Sequence, residues 1–242
     1  KFLIPGLIDA HVHLVHQADF AHVSPDELLP LYLRHGVTSV RSTGDQIVAS
    51  RMAQRMAEQR PSEFPRVFTC SPLIDGDPPY HADIGAALTD PARVPEFVAD
   101  MKQWGASTLK IYVRTGREVG RRVIEEGHRA GMAVSGHLGA YPAGAAVDDG
   151  IDVLEHIWSV IDFSFPPGPK ARAEIDLHNP VATALRDAIA RKGTMVDPTL
   201  AVFRNMILLH DRDAVREHPD NAAVPQRLRD HWERYRVKSN LR

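Results

Sequence analysis

Two histidines one residue apart, His11 and His13, close the apolar run Leu7-Ile8-Asp9-Ala10-His11-Val12-His13, directly after Pro5-Gly6. Alternate side chains of a strand share a face, so both imidazoles point the same way and form a chelating pair. Three further donors close comparable runs: Lys110 in Leu109-Lys110-Ile111-Tyr112, His137 in Ser135-Gly136-His137, and His156 in Leu154-Glu155-His156. Donors delivered from the carboxyl ends of four separate strands are what a metal centre needs. Cys70 is the one cysteine, so a thiolate site and an intrachain disulfide are both excluded and any metal must use nitrogen and oxygen.

The elements that would carry these donors show as a repeated phrase: a helical segment, a glycine, then a short apolar strand ending in a polar residue. It recurs at Gly36, Gly105, Gly131, Gly150 and Gly193. Glycine suits the left-handed position just past a helix end, so each phrase reads as a helix stop feeding a buried strand. Val94, Phe97, Val98, Met101 and Trp104 follow helical spacing, as do Leu185 and Ile189 after Pro180, with Asn179 as the N-cap. Strands alternating with helices imply parallel pairing through right-handed crossovers.

Adding the opening run and Pro65 to Cys70 brings the total to about seven strands, where a TIM-type barrel closes with eight. The expected architecture is therefore α/β, an incomplete (β/α) barrel forming one domain over residues 1–242 and truncated at both ends. Two long connections, Leu73 to Thr89 and the proline-rich Trp158 to His178, would lie as loops on the carboxyl face, where such barrels hold substrate.

Composition narrows the partners. The 242 residues are 43% hydrophobic and 25% charged, with a net charge of -2, which permits a full core and leaves no basic footprint for nucleic acid or an acidic membrane surface. No run approaches the roughly 18 apolar residues of a membrane helix. A small-molecule substrate is expected, in a homo-oligomer because an absent eighth strand would leave an open edge. A cytoplasmic location is favoured, with secretion left open because Lys1-Phe2-Leu3-Ile4 reads as an interior cut.

The opening Pro5-Gly6-Leu7-Ile8-Asp9-Ala10-His11-Val12-His13, followed in order by Lys110, His137 and His156, resembles the amidohydrolase superfamily of metal-dependent hydrolases. Lys110-Ile111-Tyr112 and Leu154-Glu155-His156 look most like its prolidase and dipeptidase branch, with imidazolonepropionases more distant. The resemblance implies two divalent metal ions held by His11, His13, His137 and His156, and bridged by Lys110 carboxylated by carbon dioxide. Imidazole and carboxylate ligands suit Zn²⁺ first, with Mn²⁺, Co²⁺ or Fe²⁺ as alternatives. It implies an amide-cleaving hydrolase, acting on an N-acyl amino acid, a dipeptide or a cyclic amide through a metal-bridging hydroxide. An esterase, lactonase or phosphotriesterase would use the same centre, and a metal-binding noncatalytic fragment is the rival from another class.

The family's strand-eight aspartate, its proton acceptor, lies beyond the chain end on this reading, so the catalytic residue stays unassigned. Asp197, ending the seventh strand, would approach the site without being assigned that role. His81 and Tyr141 follow site-bearing strands and are candidates for contacting substrate. Asp9 is expected to anchor a backbone turn, and His16 and His22 to lie on the surface. Charged runs such as Arg121-Arg122 with Glu125-Glu126 read as solvated helix faces with i,i+4 pairs.

Overall fold

Glycine stops set the rhythm of the chain. In the computed structural model, which describes residues 2–16, 22–161, 178–208 and 217–238, the five glycines of the repeated phrase all adopt positive φ, from 71° at Gly193 to 98° at Gly150. Gly193 shows why: it caps a helix in the left-handed conformation, its N–H bonded back to the Ile189 carbonyl. A residue with a Cβ pays steric strain in that conformation.

The chain begins with β1 (Leu7–Val12), α1 (Pro25–Arg34), β2 (Val37–Ser42) and α2 (Ile47–Gln59). Then come three short strands, β3 (Arg66–Phe68), β4 (Cys70–Asp75) and β5 (Gly85–Ala87), before α3 (Val94–Gln103). Regular alternation follows with β6 (Thr108–Ile111), α4 (Arg117–Arg129), β7 (Ala133–Gly136), α5 (Ala143–Asp148), β8 (Val153–Glu155) and α6 (His156–Ile161). The described residues end with α7 (Pro180–Lys192), β9 (Met195–Asp197), α8 (Leu200–Leu208) and α9 (Gln226–Lys238). Asn179 caps α7 as expected, its side chain accepting from the Ala182 N–H at 2.9 Å.

Every strand pairing among the described residues is parallel, so the α/β expectation holds. The strand count and the continuity do not match it. Among the described residues nine short strands form two sheets, of order β1-β2-β3 and β5-β4-β6-β7-β8-β9. The run read as one third strand changes partner at Thr69: β3 pairs with β2, whereas β4 pairs with β6 and β5. At that break the Thr69 carbonyl accepts from the Ser107 N–H at 2.9 Å and its hydroxyl donates to the Gly105 carbonyl at 3.0 Å. Pro72 follows within β4, where it cannot donate to a ladder, and the β4–β6 register shifts between Cys70 and Leu73.

Leu73 to Thr89 is accordingly not one long loop. Its first residues finish β4, and Gly85–Ala87 return as β5. The other expected loop, Trp158 to His178, falls largely outside the described residues.

Each sheet has its own core. Ile74, Leu109, Ile111, Val134 and Leu154 pack against Val94, Val98, Val119, Val123 and Val147 of the surrounding helices. Val12, Val40 and Val67 meet Leu28, Leu29, Ala57 and Phe64 in a second cluster. Leu7 and Ile8 on β1, and Met195 on β9, stay exposed. No helix among the described residues is long and apolar enough to cross a membrane.

Asn179→Ala should lower stability by about 1 kcal/mol, the usual worth of an N-cap side chain. Urea unfolding would show it as a lower midpoint with an unchanged slope.

Candidate metal centre

The first two histidines are held from different parts of the chain. His13 donates from Nδ1 to the Gly44 carbonyl at 2.8 Å. Gly44 sits at φ 126°, and a Cβ there would meet Leu73 Cδ2 at 2.2 Å, so only glycine brings this carbonyl to the imidazole. His11 donates its backbone N–H to Asp9 Oδ1 at 3.1 Å, the turn anchor expected of Asp9, and its Nδ1 lies 2.7 Å from Glu155 Oε2. Buried Asp45 accepts from the Val15 and His16 N–H groups and from the Ser42 hydroxyl, tying the residues after β1 to those after β2.

The remaining donors rise from the second sheet. Lys110 is only 1% exposed, and its Nζ finds no hydrogen-bond acceptor; Glu155 Oε1 stands 3.7 Å away. His156 begins α6 at φ 63°, with its Nδ1 bonded to the Thr199 hydroxyl at 2.7 Å. Thr199 is itself at φ 48°, an outlier for a β-branched residue, and such strain persists where surroundings impose it. The imidazoles form a continuous row, with centroid separations of 5.4 Å from His13 to His11, 4.5 Å from His11 to His156 and 4.4 Å from His156 to His137.

The structure therefore brings His11, His13, Lys110, His137 and His156 to one place at the carboxyl ends of β1, β6, β7 and β8. Burial disfavours the charged form of each of these groups. It lowers His11 and His137 to about 4 and His156 to about 2, with the Lys110 charge adding to the effect, and it lowers His13 and Lys110 as well. Glu155 goes the other way. Burial alone would raise its carboxyl, but Lys110, His11 and Arg41 together hold it well below the usual carboxylate range. Asp197 is raised by burial and by the Glu155 charge, and its Oδ2 is buried without a hydrogen-bond partner.

These features fit divalent cations. Neutral imidazoles with a second nitrogen engaged by a carbonyl, a carboxylate or a hydroxyl are the usual form of histidine ligands. The Lys110 amine and Asp197 Oδ2 are buried polar atoms without a hydrogen-bond partner, with only longer ion-pair contacts to Glu155 and His11. His11, Glu155 and Asp197 also place ligand atoms within 4.8 Å of one another, the arrangement that a cation can bridge.

No family model and no curated protein matches the sequence. Solved structures do. A bottromycin amidohydrolase superimposes over 95% of this chain with a TM-score of 0.61 at 23% identity. The fold is the amidohydrolase fold. A Xaa-Pro dipeptidase with methionine bound in its active site covers 96% of the chain at a TM-score of 0.56 and 18% identity. An A. niger ochratoxinase covers 95% at 0.58 and 17%. The chain spans only 53%, 60% and 58% of the lengths of these three structures, respectively.

Among the weaker candidates, His81 stands in an aromatic row beside the imidazoles. Its ring is 5.9 Å from His16 and 5.7 Å from Tyr112, which meets His137 edge-on at 5.0 Å. Buried Asp75 sets this wall by accepting two backbone N–H groups at 2.7 Å, from Tyr80 on one loop and Arg114 on another. Tyr141 is a correction. Its ring is fully buried against Gly120, where a Cβ would come within 2.4 Å, and its hydroxyl donates to Asp149 at 2.8 Å. It is a core residue, placed there because the residues after β7 turn inward to start α5. His16 is 27% exposed at its side chain, its ring 6.5 Å from His13 and its Nδ1 2.7 Å from Asp83.

Sequence reasoning assigned no role to Glu155, Arg41, Gly44 or Thr199. Glu155 and Arg41 carried a signal, a full charge inside a strand that must be buried; Gly44 and Thr199 show only in three dimensions.

In metal-free protein the His11 and His137 imidazoles should titrate near pH 4, readable by NMR. Their folded values lie below the unfolded 6.5, so the unfolded chain takes up protons first, and stability should fall as pH drops from about 6.5 towards 4. Each proton taken up contributes about 1.4 kcal/mol per pH unit; a flat urea midpoint across that window would contradict the burial. Tyr141→Phe should cost roughly 1 kcal/mol of stability and leave metal binding unchanged, whereas weaker metal binding would return Tyr141 to the site.

Proposed function

We propose that this chain is the metal-binding part of a hydrolase of the amidohydrolase superfamily that cleaves a carbon–nitrogen bond in a small molecule. One observation carries the reading: four imidazoles and a buried lysine amine without a hydrogen-bond acceptor, from two sheets, meet at the strand ends. His11 and His13 would hold one divalent cation, His137 and His156 a second, and Lys110, once carboxylated, would bridge them. Zn²⁺ suits these donors.

When bound, such cations supply Lewis acidity towards a scissile carbonyl and acidify water near neutral pH. The chain's own residues do the rest. Burial disfavours the charged form of the Lys110 amine; the neutral form is the one that adds carbon dioxide, and the amine nitrogen then loses a proton to become the carbamate. Gly44, Glu155 and Thr199 hold imidazole orientation. Asp197, whose Oδ2 has no hydrogen-bond partner and lies 4.0 Å from His11 Nδ1, would accept a proton from the reacting region.

The substrate class follows the neighbours' chemistry and the wall around the site. Tyr80, His81 and Tyr112 present aromatic faces and one imidazole beside His137, suited to an acylated amino acid, a dipeptide or a cyclic amide.

Elemental analysis of purified protein, with a panel of N-acyl amino acids, dipeptides, cyclic amides and esters, tests this. Two metals per chain and amide turnover support the reading; a protein that binds no divalent metal overturns it. His11→Ala or His13→Ala should remove about half of the bound metal. Lys110→Ala should lose metal and regain part of it with short carboxylic acids, which supply the missing bridge. A Lys110→Ala protein indifferent to such acids would rule out a bridging carbamate.

A further inference from the structure

The proposed ligands belong to two sheets that share no strand ladder among the described residues. His11 and His13 lie at the end of β1, in the first sheet, while Lys110, His137 and His156 end strands of the second. Each sheet is also packed on its own core. A metal site tolerates about 0.5 Å of misplacement, so something other than backbone pairing must register the two halves.

Arg41, near the end of β2 and 17% exposed at its side chain, makes that link. Its Nε donates to the Ala10 carbonyl at 2.8 Å, immediately before His11. Its Nη2 donates to Glu155 Oε1 at 2.5 Å, immediately before His156. The other Glu155 oxygen lies 2.7 Å from His11 Nδ1, which closes a ring through Ala10, His11, Glu155 and Arg41. Two of its members are on β1, one on β2 and one on β8. A planar guanidinium can hold two acceptors in a fixed relation; an ammonium cannot.

We propose that Arg41 is a positioning residue, which through Glu155 locks the sheet bearing His11 and His13 onto the sheet bearing Lys110, His137 and His156. The same ring fixes the proton of His11 on Nδ1 and leaves Nε2 as the lone pair for a cation. This last role rests on His11 being a ligand; the registration of the sheets does not. Lys110 and Asp197 also face Glu155, so without Arg41 the carboxylate has an alternative partner and His11 loses its own.

The test compares wild type with Arg41→Lys and Arg41→Met by two readouts: ¹⁵N NMR of the imidazoles in metal-free protein, and cobalt titration followed by absorbance. Wild-type His11 should be protonated at Nδ1. Both variants should show mixed His11 tautomers and bind cobalt at least tenfold more weakly with an altered spectrum, while His137 keeps its tautomer. Arg41→Lys retains the charge, so its failure would separate positioning from charge balance. An Arg41→Lys protein with wild-type tautomer, affinity and spectrum overturns the proposal.

If neither variant folds, the wild-type Arg41 Nε–H decides. It should be protected from solvent exchange, and an Nε–H exchanging like that of a free guanidinium overturns the proposal. A wild-type protein that binds no cobalt defeats the functional reading above, and the tautomer and exchange measurements still settle Arg41.

Discussion

A carboxylate with no solvent contact must be surrounded by donors or it will not stay ionised, and Glu155 is such a carboxylate. Its neighbours, Arg41, His11 and Lys110, come from β2, β1 and β6, so satisfying one charge requires strands far apart in sequence to arrive together. Buried ion pairs are costly to assemble and costlier to break. Here the cost falls at the point where the two sheets must agree, and the imidazole row is built around it. The lysine amine that Glu155 approaches but does not fully satisfy is the same group that the proposed carbamate would use.

Much of this was legible in the residue order. The glycine phrases marked five helix stops, and all five glycines take the left-handed backbone they were assigned. The His-x-His pair, Lys110, His137 and His156 were recognisable because each closes an apolar run, and parallel strands place their ends on one face. The break at Thr69 was not legible. Thr69 and its neighbours read as one strand, since a change of partner depends on what Gly105 and Ser107 offer from elsewhere in the chain.

The error at Tyr141 has a simple cause. Position after a strand says that a residue is near the rim, but not which way its side chain turns. Tyr141 turns into the space left by Gly120, and His16 turns towards Asp83 and His81. Thr199 was invisible for a different reason: only the positive φ shared with His156 reveals that the two are held as a pair.

Asp75 carries a consequence for how such a site diversifies. Because one buried side chain grips the backbone of both the Tyr80 loop and the Arg114 loop, neither can be lengthened or exchanged alone without stranding half of a carboxylate in the interior. Changing side chains upon the two loops leaves that shared grip, and so the spacing of the loop backbones, intact.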